Sequence, residues 1–166
     1  MKLLLAFFIL ISTAGFAVEL SFVPDSIQID EGETATLSII IDQPTEIRTI
    51  EVVITFDPEL VQSNYGYAGQ LFSDAGCFVF EDFNDNDPGQ WHGSAVLIGS
   101  ECWIDSVGEL YVWNFTGLAD GESPIIAAEV YLYSPDASLI DQVLLTSAQV
   151  VHDTQYSFGS IKTMFK

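Results

Sequence analysis

The sequence predicts an all-β protein, a two-sheet antiparallel β-sandwich of about nine short strands, and three observations predict it. Apolar and polar residues alternate with period 2 in one segment after another, the spacing that turns one face of a strand to a core and the other to water. Clusters of Gly, Pro, Asp and Asn fall between these segments. Beyond residue 17, no window of 12 or more residues carries the apolar stripe of an amphipathic helix. Short strands separated by polar turns are the pattern of a sandwich.

The first segment is set apart from this pattern. Met1-Lys2 precedes the apolar run Leu3 to Ile11, and the small and polar residues Ser12 to Ala17 follow. One cation, a short apolar run and a small-residue end predict a secretory signal peptide over residues 1–17, cut after Ala17 with Gly15 two positions earlier. The run is too short to cross about 30 Å of hydrocarbon as a helix. A secreted, extracellular protein of bacterial type is expected, with no membrane insertion after the signal is removed. Residues 18–152 then form the sandwich domain, and residues 153–166 an edge strand or tail.

The strands follow in order. Glu19 to Val23 opens the series, and the turn Asp30-Glu31-Gly32-Glu33 follows it. In Ala35 to Ile41, residues Ala35, Leu37, Ile39 and Ile41 face inward against Thr36 and Ser38, with Ile40 breaking the polar side. In Ile50 to Phe56, residues Ile50, Val52, Ile54 and Phe56 face inward, leaving Thr49, Glu51, Val53 and Thr55 outward. Asp57-Pro58 makes the next turn. Cys77 to Phe80, Ser94 to Ile98 and Glu109 to Phe115 are further strands, with the polar turn Asn84 to Gly89 between the first two. In Ile126 to Leu132, alternation puts Ile126, Ala128, Val130 and Leu132 on the inner face, opposite Ala127, Glu129 and Tyr131. Val143 to Val150 closes the series. In an exported chain the only two cysteines, Cys77 and Cys102, are expected to form a disulfide.

Charge narrows the partners. The 166 residues hold 24 Asp plus Glu against 4 Lys plus Arg, for a net charge of −20. Nucleic acid and anionic membrane surfaces are excluded, because both need clustered cations. Hydrophobic residues make up 49% of the chain, so it is no acidic disordered tail.

Catalysis finds little material. The two histidines, His92 and His152, lie far apart in sequence, and neither a Gly-x-Ser-x-Gly elbow nor a His-Glu-x-x-His motif occurs. Carboxylate pairs must arise by chance among 24 acids, so they carry no weight for glycoside hydrolysis. No enzyme is expected.

Two sets of residues suit binding. Trp91, Trp103, Trp113 and Tyr67 offer flat apolar faces with polar edges, suited to stacking on sugar rings, although aromatic residues more often fill cores. Trp91 and Trp103 adjoin turns, which favours exposure. Asp82, Asn84, Asp85 and Asp87 concentrate oxygen ligands as a calcium loop would. Counted from Asp82, however, the sixth residue is Asp87 where an EF-hand has Gly, and the twelfth is Gly93 where it has Glu, so a solvated acidic turn is favoured. No cofactor is expected. Asn114-Phe115-Thr116 matches a glycosylation sequon, but within a strand it reads as chance.

The order of motifs resembles a known family. Phe22-Val23-Pro24-Asp25 leads to Gly32-Glu33-Thr34-Ala35-Thr36-Leu37-Ser38-Ile39, and then to the strand ending Phe56-Asp57-Pro58-Glu59-Leu60-Val61. Gly108-Glu109-Leu110 with an apolar strand, then Ile126 to Leu132 and Asp141 to Val150, complete it. This series, from Glu19 to Asp153, is similar to the cohesin domain of bacterial polysaccharide-degrading systems, one of a wider group of jelly-roll sandwiches that includes carbohydrate-binding modules. The resemblance implies a noncatalytic recognition module that binds a calcium-loaded dockerin domain through one exposed sheet face. Thr49, Glu51, Val53 and Thr55 would contribute to that face. Direct binding of a polysaccharide, or a structural role in a surface layer or adhesin, are the other readings.

Overall fold

The computed structural model describes residues 18–43, 45–85, 87–140 and 143–152. The signal peptide expected over residues 1–17 and the edge strand or tail expected over 153–166 lie outside the described residues. Within them, eleven strands and one short helix build two packed sheets.

The five-stranded sheet is made of β1 (Val18–Val23), β3 (Thr34–Ile41), β5 (Val61–Ala68), β8 (Gly108–Gly117) and β10 (Val143–Leu145), in the order β10-β1-β3-β8-β5. The six-stranded sheet holds β2 (Ser26–Gln28), β4 (Thr49–Thr55), β6 (Phe78–Asn84), β7 (Gln90–Ile98), β9 (Gly121–Tyr133) and β11 (Ser147–His152), in the order β2-β11-β9-β4-β7-β6. Neighbours are antiparallel except β1–β10 and β2–β11. The inner faces share one core, with Leu37, Ile39 and Ile41 of β3 and Ile50, Val52 and Ile54 of β4 on the sides their alternation predicts. Tyr111, Trp113 and Phe115 of β8 fill its centre.

The two lateral sides of the sandwich differ. On one, the chain changes sheets twice. It passes from β1 to β2 through a cis Val23–Pro24 bond, and from β10 to β11 at Thr146, whose N–H donates to the Leu20 carbonyl. These two crossings tie the sheets together. On the other side, β5 and β6 end their sheets, and the helix α1 (Gln70–Asp74) links them. Leu71 and Phe72 are buried there, and a disulfide between Cys77 and Cys102, with Cα atoms 6.0 Å apart, fastens the start of β6 to the loop after β7.

Several sequence expectations are corrected. The final strand is two, because Val143–Leu145 pairs with β1 whereas Ser147–His152 pairs with β9 and β2 in the other sheet. The inner face assigned to Ile126 and Ala128 is reversed: Ile126 is exposed, whereas Ile125 and Ala127 are buried. The cause is a bulge. Val53 pairs with Glu129 and Ile54 with Ala127, so Ala128 is an extra residue that shifts the parity of everything before it. Val130 and Leu132, beyond the bulge, keep the predicted inward side. β6 runs on to Asn84, so Asp82 and Asn84 belong to a strand and not to a turn. β2 and β5 were missed. Val61–Ala68 reads VQSNYGYA, too polar to signal a strand, as suits the edge of a sheet.

The Asp57-Pro58 turn is held by local bonds. The Glu59 N–H donates to Asp57 Oδ1 at 2.9 Å, and the Asp57 N–H to the buried Ser123 hydroxyl at 3.0 Å. Arg48 is the only Lys or Arg among the described residues. Its guanidinium donates to the carbonyls of Cys102 (3.2 Å), Pro135 (3.3 Å) and Gly99, joining loops at one end of the sandwich.

Candidate functional site

The outer face of the six-stranded sheet is built from side chains that alternation turns away from the core. On β4 these are Thr49, Glu51, Val53 and Thr55, all half-buried between flanking strands. Register places a row across three more strands beside each: Tyr133, Thr49, Val96 and Phe80 form one row, and Tyr131, Glu51, Ser94 and Asp82 the next. Glu129, Val53, His92 and Asn84 form the third.

The face divides into two zones. At one end Phe78 pairs with Ile98 and Phe80 with Val96. Phe78, Phe80 and Ile98 are 69%, 60% and 51% exposed, which is unusual for large apolar side chains grouped on one surface. Toward the middle lie Glu51, Asp82 and Glu129. There His92 Nε2 sits 3.1 Å from Glu51 Oε1, a diagonal pair across β4 and β7. Arg48, the only Lys or Arg among the described residues, is engaged with carbonyls and does not balance these acids.

The remaining sequence candidates fall elsewhere. Trp91 and Trp113 are 1% and 0% exposed, so neither offers a ring face for stacking. Trp91 is the second residue of β7 and points inward, where Gly66 and Gly93 make room for its indole, and adjacency to a turn was misleading. Trp113 Nε1 donates to the Ser63 hydroxyl at 2.9 Å inside the sandwich. Trp103 is half-buried, and Tyr67 is exposed on β5. Asn84 and Asp87 line one hollow with Glu51 and His92, and Asp85 and Asp87 another, while among the described residues no three His, Cys, Asp or Glu side chains gather where they could hold a metal. Asn114 of the sequon is buried in mid-strand and accepts a hydrogen bond from Thr36 Oγ1 at 2.8 Å.

Tyr67, an aromatic candidate in the sequence, belongs to a second exposed surface on a strand that alternation did not reveal. On β5, Tyr65 and Tyr67 both point outward and stack with centroids 6.5 Å apart. Their spacing of two residues was the available signal, hidden by the polar residues around it.

No protein-family model matches the sequence, and no curated protein does. Solved structures do match by shape. A cohesin from a type I cohesin–dockerin complex of Clostridium thermocellum superposes with a TM-score of 0.70 at 14% identity, covering 85% of this chain and 96% of that one. A type I cohesin of Pseudobacteroides cellulosolvens gives 0.70 at 12% identity, covering 86% and 96%. A non-cellulosomal cohesin of the archaeon Archaeoglobus fulgidus gives 0.66 at 11% identity, covering 90% and 98%. At these identities the likeness is one of fold, and the chain has the jelly-roll sandwich of cohesin modules.

Proposed function

We propose that the protein is a secreted, noncatalytic docking module that holds a dockerin-type partner on the outer face of its six-stranded sheet. The observation that carries this reading is the exposed group Phe78, Phe80 and Ile98 beside the β4 face. An apolar patch rimmed by polar residues is the usual form of a protein interface, with aromatic anchors supplying most of the affinity. Support comes from cohesins of this fold solved in complex with dockerins. The acidic middle of the face selects a partner with basic residues there, and association should slow as salt is raised.

The test is a calcium-saturated panel of dockerin domains, titrated by calorimetry against the protein without residues 1–17. Binding by at least one member, lost on Phe80→Glu and weakened at least tenfold by Phe80→Ala, is the expected result. If no dockerin binds with calcium present, or Phe80→Glu binds unchanged, the reading fails. A second reading, binding of a polysaccharide, is favoured by the exposed Tyr65–Tyr67 stack on β5.

A further inference from the structure

The side of the sandwich bridged only by α1 is a cleft. β5 and β6 face each other across it, each with one row of peptide groups that no further strand pairs among the described residues. Near α1 the cleft measures about 350 Å³, with Tyr67, Gln70, Ser73, Glu81 and Glu109 around a floor that includes Phe72. This is at the small end of ligand sites, roughly 300–1,000 Å³. Further along β5, Asn64, Tyr65, Phe83 and Trp91 border a second hollow of about 160 Å³. Tyr65 and Tyr67 lie one beside each hollow, and their stack joins the two.

The second hollow carries an independent sign. Trp91 Nε1–H is buried and has no hydrogen-bond partner, a costly state for an indole donor. It lies against Gly66, where a Cβ would stand 2.7 Å from Nε1, and Gly66 and Trp91 both line the hollow.

The chemistry of the walls defines the ligand. Exposed tyrosine rings offer surfaces on which the C–H face of a pyranose can lie. Around them stand groups that pair with hydroxyls: the Glu81 and Glu109 carboxylates, the Gln70 and Asn64 amides, and the unpaired strand edges. Glu109 is steadied, since its Oε2 accepts from the Ser38 hydroxyl at 2.6 Å. No Lys or Arg lines either hollow, so an acidic sugar would meet the carboxylates of Glu81, Glu109 and Asp85 and no counter-charge.

We infer that the β5–β6 cleft binds one or two residues of a neutral glycan, with Tyr67 as its stacking surface and Glu81 and Glu109 accepting from sugar hydroxyls. The inference deepens the polysaccharide reading, on which it rests, and is separate from docking on the opposite sheet face. Of the aromatic candidates in the sequence it keeps Tyr67 and sets aside the buried Trp91 and Trp113.

The experiment titrates the protein with cellohexaose, xylohexaose, mannohexaose and laminarihexaose by calorimetry, following tryptophan fluorescence in parallel. Hexagalacturonate serves as the anionic comparison. The expected result is binding of at least one neutral probe with a change in indole emission, at least tenfold weaker for Tyr67→Ala and retained in Tyr67→Phe. Glu109→Gln should weaken it severalfold, and hexagalacturonate should bind at least tenfold more weakly than the neutral probe. Melting temperatures within a few degrees of the parent confirm that the variants fold. If a neutral probe binds but Tyr67→Ala leaves its affinity unchanged, the cleft is the wrong place and the polysaccharide reading survives. If no neutral probe binds, both are overturned.

Discussion

Gly66 on β5 and Trp91 on β7 interlock across the two sheets. A Cβ at residue 66 would stand 2.4 Å from Cζ2 of the indole, and one at Gly93 would stand 2.4 Å from its far ring carbon. The ring is therefore held between two glycines of opposite sheets, with Phe83 stacked beside it at 5.9 Å and Tyr111 edge-on at the same distance. This packing forms the floor under the β5–β6 cleft.

Gly66→Ala forces that ring to move, and overpacking of this kind costs about 1–3 kcal/mol. Urea denaturation should show a lower midpoint at an unchanged slope. Combined with Trp91→Phe, the two losses should sum to less than their separate values, because the smaller ring leaves room for the methyl group. Full additivity would show that the two residues are not coupled.

Arg48 acts as a structural cation. Its guanidinium donates to three carbonyls, and no described carboxylate pairs with it. Net of water, hydrogen bonds to charged groups are each worth about 1.5–3 kcal/mol, and this guanidinium is partly exposed, so Arg48→Met should cost about 2–4 kcal/mol in all. Arg48→Lys should recover less than half, since an ammonium cannot span three acceptors in one plane. Chemical denaturation of the three proteins provides the measurement.

The Cys77–Cys102 bond closes a loop of 25 residues on the side that α1 bridges. Loop-closure entropy assigns it about 3.5 kcal/mol. The double variant Cys77→Ser with Cys102→Ser should lose stability on that scale. Its amide exchange should quicken most in Phe78–Asn84 and least in the central Gly108–Gly117 strand.

Two groups give the stability an acid and an alkaline edge. Burial, with Glu81 and Glu51 nearby, holds the Tyr111 phenol well above its usual value of 10.0, and the hydroxyl donates to the Ile50 carbonyl at 3.1 Å. The unfolded chain ionises first, so this contribution is whole below about pH 10 and falls as pH rises toward the folded value. Urea midpoints between pH 8 and 11.5 should decline, and Tyr111→Phe should flatten the decline. At the acid end, hydrogen bonds from Ser134 and Ser138 lower the exposed Asp136 carboxyl from 3.8 to about 2. Its contribution is present above the unfolded value and lost as pH falls through the folded one. Carboxyl NMR titration should find its midpoint near 2, and Ser138→Ala should move it upward.

Much of the sandwich was legible in the residues themselves. Leu37, Ile39 and Ile41, like Ile50, Val52 and Ile54, reveal their inner faces because a regular strand with one buried side must alternate. The outward set Thr49, Glu51, Val53 and Thr55 follows from the same rule. A bulge breaks it, and Ala128 carries no mark that would announce one, so Ile126 was placed on the wrong side. β5 escaped because an edge strand is free to be polar. Trp91 escaped because its burial depends on Gly66, which is 25 positions away and in the other sheet.

By itself, then, the sequence determined the all-β class, most of the strand segments, the cysteine pair and the outward residues of β4. These depend on local alternation, turn chemistry and composition, which act between near neighbours along the chain. Only the tertiary structure decided which aromatic rings are buried, that Phe78, Phe80 and Ile98 share an exposed patch, and that β5 and β6 flank a cleft. Those outcomes depend on contacts between residues distant in sequence, where side-chain packing and strand register outweigh any local preference.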